Sequence, residues 1–370
     1  QWRENRAIDG IMSSNCVINP DFCKFNRVIL AYCDGNSFSG NRDDAVPIMG
    51  TDGKVKPIYF RGRRIIDATL KSLAENFGIN KADTVMLTGC SAGGLSTFLH
   101  TDYIHEQLKT KYANETLHKF KAVPISGFFL QHNSVEGKNV YPEEMKNIFE
   151  LANSTQGLNA ACIAAMAPDD RWQCNFAQHA YAFTGTDIFP LNSALDSWQT
   201  SCIYTSEFPD QFPNQKVANN GNCSSAPGWH DCTLHPESCN ESQMVTMNKY
   251  IADFSTILNA TNTYNKPGNG AFIHSCHTHC EALSDDMFTK FAVGGVTMQE
   301  AVSKWWNSNG NDPSSMHTYK PCSYNTNPLT PHECNPTCTQ DSSTSDVISL
   351  DFVSPDTRII LETQHPMVHS

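Results

Sequence analysis

Charge is scarce in this 370-residue sequence. Asp, Glu, Lys and Arg make up 17% of it, little for a cytosolic enzyme but ordinary for a secreted one. The balance is acidic, at −12, and no basic stripe with interleaved aromatics occurs, which argues against nucleic acid as a partner. No run approaches the roughly 20 apolar residues of a membrane span. Internal repeats are absent, as is any pair of CxxC knuckles. Nothing at Gln1 has the charged and apolar regions of a signal peptide, so the expectation is that any such segment has been removed.

Cysteine, by contrast, is plentiful. Fifteen are scattered along the whole length, which reads as a disulfide framework formed in an oxidising compartment rather than a set of buried thiols. The count is odd, so at least one thiol is free or pairs outside the chain. Sequons for N-glycosylation stand at Asn114, Asn153, Asn222, Asn240 and Asn259, in keeping with a secreted or secretory-lumen glycoprotein. The length suffices for one large α/β domain or two domains.

Apolar spacing gives the organisation. RVILAYC (27–33) is a short strand-like run, bounded by the turn-forming DGNSFSGN that follows it. In RGRRIIDATLKSLAENF (61–77), Ile65, Leu70, Leu73 and Phe77 fall near one helical face and Gly78 is a stop signal. TVMLTGC (84–90) reads as a buried strand, residues 92–109 as a helix, and KAVPISGFF (121–129) as the next apolar run. Strands alternating with helices predict an α/β fold with a mostly parallel central sheet covered on both faces. From 140 to 270 the pattern loosens and six cysteines occur. There IFPLNSALDSWQ (188–199) reads as a strand and turn, 214–240 as a disulfide-tied loop, and 241–259 as a helix. A last helix is expected near 285–306. After CNPTC (334–338) a polar QDSSTSD linker leads into β-like runs, SDVISLDFV and TRIILET. The expected division is a domain over 1–338 and a tail over 339–370.

Chemistry concentrates at TGCSAGG. Gly89-Cys90-Ser91-Ala92-Gly93 fits G-x-S-x-G between a predicted strand and a predicted helix, the setting of a nucleophile elbow. Glycines permit so tight a turn, and the helix start directs the Ala92 N–H toward a developing oxyanion. A plain Gly-rich loop is the alternative. Such a serine needs an acid and then a base, in that chain order. Asp196, following an apolar run, suits the acid, though alone it would read as a surface carboxylate in a turn. FIHSCHTHCEA (272–282) offers His274, His277 and His279 as bases, and the pattern alone leaves all three open. Cys276, His277, His279 and Cys280 are zinc-ligand types, but they lie too close together to close a tetrahedron, and disulfides are the expected fate of the cysteines. No metal or cofactor is expected.

These blocks resemble the pectin acetylesterase and Notum carboxylesterase family of extracellular α/β-hydrolases. The resemblance is carried by YCDGNSFSGN (32–41), LTGCSAGG (87–94), SGFFL (126–130), FPLNSALDSWQ (189–199), Trp229 with Cys232, SCHTHCE (275–281) and CNPTC (334–338). It spans roughly 18–338 and implies Ser91 as nucleophile, Asp196 as acid and His279 as base, with Ala92 as an oxyanion donor. His277 becomes a neighbour. An Asp usual in the family before SGFFL is replaced here by Pro124-Ile125-Ser126. The family's E-G-G-G-W-C loop, which supplies further oxyanion donors, does not occur in the chain. Three explanations fit: a disulfide-linked N-terminal piece, which would also account for the odd cysteine; a segment missing from the sequence; or loss of catalysis.

The reading is thus a secreted serine carboxylesterase that removes O-acyl groups, acetyl first among them, from a polysaccharide or glycoprotein. The alternative is a catalytically inactive structural or glycan-binding protein. In that case the tail would add a strand to a partner in an extracellular assembly; equally, it packs on its own domain.

Overall fold

The computed structural model describes residues 9–50, 52–207, 223, 225–308, 316–319, 335–338 and 359–363. The chain divides into two compact units, one of residues 1–25, 130–141 and 187–354, the other of 26–129, 142–186 and 355–370. The first five strands are β1 (Asn26–Leu30), β2 (Val46–Met49), β3 (Val55–Ile58), β4 (Thr84–Cys90) and β5 (Lys119–Ile125). They are followed by β6 (Leu191–Ser193), β7 (Ala271–His274), β8 (Ala292–Val293), β9 (Val296–Thr297), β10 (His317–Tyr319) and β11 (Ile359–Thr363).

In the unit that begins at residue 26, β4 and β5 pair in parallel from Thr84↔Lys119 to Cys90↔Ile125. Every residue of β4 is buried, which is why TVMLTGC is continuously apolar or small rather than alternating. The helix after it, Ala92–Glu106, buries residues on all sides and continues as a π-turn through Lys111. The amphipathic helix Gly62–Asn76 buries Gly62, Ile66, Leu70 and Leu73. Its inward face is therefore set by Ile66 rather than Ile65, and Phe77 is exposed beyond the helix end. Gly78 stops the helix in the left-handed region at φ 74°.

The tail segment Ile359–Thr363 pairs antiparallel with β1 on one side and β4 on the other. TRIILET thus contributes its strand to this chain's own sheet, the second of the two possibilities that the sequence left open. SDVISLDFV lies outside the described residues.

In the other unit β6 pairs in parallel with β7, and β7 in parallel with β10. The helix Glu241–Ala260 starts at an Asn240/Gln243 capping box, close to the range its spacing predicts. The single helix expected over 285–306 is instead two, Asp285–Lys290 and Met298–Trp306. Between them Gly294 and Gly295, at φ 61° and 83°, turn the β8–β9 hairpin. Two adjacent positive φ angles are what a tight hairpin requires, and a Gly-Gly pair supplies them without strain. The fold is therefore of the α/β class, with β4–β5, β6–β7 and β7–β10 parallel and β11 antiparallel.

Among the described residues, disulfides join Cys16–Cys23, Cys162–Cys174, Cys202–Cys223, Cys232–Cys239 and Cys276–Cys338. Cys90 and Cys280 are disulfide-bonded as well. Among the described residues Cys33 is free, and it is exposed. Of the expected loop over 214–240, residues 223 and 225–240 are described: they include short helices at His230–Leu234 and Pro236–Ser238, and disulfides tie Cys223 to Cys202 and Cys232 to Cys239.

Candidate active site

Ser91 follows β4 at the N-cap position of the helix Ala92–Glu106, with backbone angles φ 60° and ψ −125°. A positive φ at a residue other than glycine is strained and survives only where the surroundings enforce it. Here the Ser91 N–H donates to the Ile125 carbonyl at 3.0 Å, while the Ser91 carbonyl accepts from Leu95 N at 2.9 Å. Both bonds clamp the turn between the end of β5 and the first helical turn. A Cβ on Gly94 would stand 2.2 Å from the Ile125 oxygen, and one on Gly127 would stand 2.2 Å from the Gly94 carbonyl carbon. The second glycine of CSAGG and the glycine of SGFFL thus permit the same close approach of helix to strand end. Ser91 and Ala92 are half-buried, and the Ala92 N–H belongs to the helix's first turn, where the macrodipole is positive.

Asp196 lies just after β6 and is fully buried rather than on a surface turn. Its Oδ1 accepts from the N–H groups of Trp198 and Gln199, both at 3.0 Å, capping the short helix Ser197–Gln199. Its Oδ2 is 2.8 Å from His279 Nδ1. The histidines divide accordingly. His279 pairs with Asp196, His277 Nε2 meets Thr200 Oγ1 at 3.2 Å, and His274 Nε2 meets Glu281 Oε1 at 2.9 Å. The ring of Trp198 lies 6.4 Å from that of His279, 28° from parallel.

Electrostatics favour a basic imidazole at 279. Burial pushes its proton affinity down, but the charge and hydrogen bond of Asp196, with the charge of Glu281, outweigh this and raise it above the ordinary histidine value. With Nδ1–H donated to a carboxylate, Nε2 is the nitrogen that exchanges protons.

The loop carrying His279 is fastened at several points. Ser193 Oγ donates to the Cys276 carbonyl at 2.6 Å, and Ser197 N donates to the Thr278 carbonyl at 3.1 Å. The second contact ties the residue before His279 to the residue after Asp196. From CNPTC, Asn335 Oδ1 accepts from both the N–H and Oγ of Ser275, at 2.7 and 2.8 Å, and Cys338 bonds Cys276. Cys280 adopts the left-handed region at φ 63°. Since Cys276 and Cys280 are both disulfide-bonded, neither offers a thiolate to zinc.

Sequence reasoning did not find the buried His274–Glu281 pair. One signal was available: Glu281 is an acid close in sequence to three histidines.

The profile of the pectinacetylesterase family matches residues 1–338, so the likeness begins at residue 1 rather than near Ile18. Pectin acetylesterase 11 of Arabidopsis thaliana is 28% identical over 90% of this chain and 74% of its own length. The palmitoleoyl-protein carboxylesterase NOTUM of Schmidtea mediterranea is 27% identical over 54% of this chain and 36% of its own. Among solved structures, the Wnt deacylase Notum from Drosophila shares the fold, with a TM-score of 0.64 at 21% identity over 92% of this chain and 81% of that one. Matched over this span, the chain is a member of the pectinacetylesterase family.

Proposed function

We propose that this protein is a secreted serine carboxylesterase that removes O-acyl groups, acetyl first among them, from a glycan or glycoprotein. The observation that carries the reading is the buried Asp196–His279 pair, in a chain whose family members are named as esterases. An imidazole so held has its tautomer fixed and its protonated form stabilised, the two properties a general base for a serine needs. The strained elbow at Ser91 supports the role of nucleophile.

In the proposed reaction Ser91 Oγ attacks the ester carbonyl carbon while His279 Nε2 takes the hydroxyl proton. The oxyanion accepts a hydrogen bond from the Ala92 N–H. His279 then protonates the departing alkoxide, leaving acyl-Ser91 and a free alcohol. Water attacks the acyl-enzyme, His279 again taking the proton, and the carboxylic acid and free serine are released. Asp196 accepts the Nδ1–H bond throughout and stabilises the imidazolium.

The acetyl preference follows the pectin acetylesterase relatives, and a longer acyl chain follows the palmitoleoyl-protein carboxylesterases. Passage through an oxidising compartment is supported by the closed disulfides. The test is release of acetate from an acetylated pectin, beside release of palmitoleate from an acylated peptide, by the wild-type chain and by Ser91→Ala. Acetate release that Ser91→Ala abolishes is expected. Hydrolysis that persists undiminished in Ser91→Ala would contradict the proposal.

A further inference from the structure

The loop between β7 and the 3₁₀ turn at Glu281–Leu283 holds His279 and is closed at its base by two buried side chains. His274, the last residue of β7, is 3% exposed and Glu281 is 1% exposed. His274 Nε2 and Glu281 Oε1 are 2.9 Å apart. On the other side of the ring, Nδ1 accepts the N–H of Cys276 at 3.2 Å. With Nδ1 accepting that N–H, the hydrogen shared with Glu281 resides on Nε2. The rings of Phe272 and Phe291 flank the imidazole, at 6.0 and 5.6 Å between centroids.

We propose that the His274–Glu281 pair is a positioning device for His279: it clasps the base of the histidine's loop and holds a second carboxylate, besides Asp196, against the residue that precedes the imidazole. The clasp is visible in the bonding. Glu281 Oε2 accepts from Thr278 Oγ1 at 3.4 Å, so one carboxylate reaches the residue before His279 and, through His274, the backbone of Cys276. The charge is visible in the balance of influences. Burial pushes the Glu281 carboxyl up, but His274 outweighs it and holds the group below the ordinary glutamate value, hence ionised at neutral pH.

The other titratable groups about His279 leave this role open. Asp196 is already committed through Oδ2 to His279 and through Oδ1 to two backbone N–H groups. His277 is turned to Thr200. Tyr250, on the helix Glu241–Ala260, donates to Gln199 Oε1 at 3.0 Å and is kept protonated, by burial first and by Asp196 second. Among the described residues, Glu281 is the other carboxylate whose charge raises the proton affinity of His279.

The consequence for turnover rests on the esterase reading, whereas the consequence for the imidazole does not. The His279 ring is therefore titrated by NMR in a Ser91→Ala background, with its resonances assigned by comparison with His279→Gln. Glu281→Gln keeps an acceptor for His274 Nε2–H and removes the charge. The His279 midpoint should fall by about 0.5–1 pH unit, a roughly three- to tenfold loss of proton affinity, at a nearly unchanged thermal midpoint. With Ser91 restored, the acid limb of kcat/KM should move by the same amount. If Glu281→Gln does not fold, the double variant His274→Phe/Glu281→Leu removes the pair while keeping apolar packing and should give the same fall. An unchanged His279 midpoint in either folded variant overturns the proposal. Absence of turnover in the wild-type chain, with the midpoint shifted as expected, would instead count against the esterase reading alone.

Discussion

His279 Nδ1 lies 2.8 Å from Asp196 Oδ2 across a sequence separation of 83 residues, with both side chains buried. Two ionisable groups are rarely taken out of water together without a use for the proton between them. Three features bring them together: the backbone bond from Ser197 to Thr278, the helix cap that Asp196 provides, and the Cys276–Cys338 disulfide.

Asp196→Asn tests this pairing. The amide keeps an oxygen for the N–H groups of Trp198 and Gln199 but presents an NH₂ to His279, so the imidazole is driven into the wrong tautomer. Ester hydrolysis should fall by about 10³–10⁴-fold in kcat, by analogy with the same change in a serine protease triad, with a near-native circular dichroism spectrum. Steady-state kinetics on a chromogenic acetate ester provides the measurement.

The pH dependence has a definite sign. A general base works unprotonated, and His279 binds its proton more tightly than an ordinary histidine. The kcat/KM profile should therefore rise through a midpoint above about 6.5 and level off beyond it. The same shift contributes stability below the unfolded value, and this is lost as pH rises through the folded one. Urea unfolding from pH 6 to 8.5 should show that loss in the wild-type chain and much less of it in His279→Gln.

Asp34 has no part in the proposed reaction but organises the YCDGNSFSGN loop. Its Oδ1 accepts from Asn36 N and Phe38 N at 3.1 and 3.0 Å, and its Oδ2 from Gly40 N and Gly62 N, both at 3.1 Å. Burial nevertheless raises its carboxyl above the ordinary aspartate value against those four donors. Asp34→Asn turns an NH₂ toward two of the N–H groups and should cost about 2–3 kcal/mol in denaturant unfolding.

Four of the five sequons fall on described residues, and they are not equivalent. Asn114 is buried, and its Nδ2 donates to the carbonyls of Ile79 and Ala82 at 3.0 and 2.9 Å. Asn153, Asn240 and Asn259 are exposed. Enzymatic deglycosylation in oxygen-18-labelled water of the protein made by secretory expression should mark one or more of those three and leave Asn114 unmarked. A glycan on Asn114 would contradict this packing.

The elbow was legible because β4 is buried throughout, so its apolar run, the serine and the helix that follows are contiguous in the chain. The proposed acid was legible as a position, since Asp196 follows an apolar run, but not as a buried group. The proposed base was not legible from its own residues. His274, His277 and His279 share one short segment, and what distinguishes them is the partner each meets: Glu281, Thr200 or Asp196. Such partnerships are tertiary and leave no periodic trace. The same holds for the helix expected over 285–306, where apolar spacing on both sides of Gly294-Gly295 masked a hairpin. Ile66 displaced Ile65 from the inward face because Gly62, rather than a larger residue, sets the helix's closest approach to Asp34 and Phe38.

An activated Ser91 is central to the proposed reaction, and covalent labelling reads this most directly. The natively folded full chain is treated with a fluorophosphonate probe, digested and mapped by peptide mass spectrometry, with Ser91→Ala and His279→Gln alongside. One adduct is expected, on Ser91, absent from Ser91→Ala and slowed by about 10³-fold or more in His279→Gln. A folded wild-type chain that remains unlabelled, or that is labelled at another serine, would contradict it.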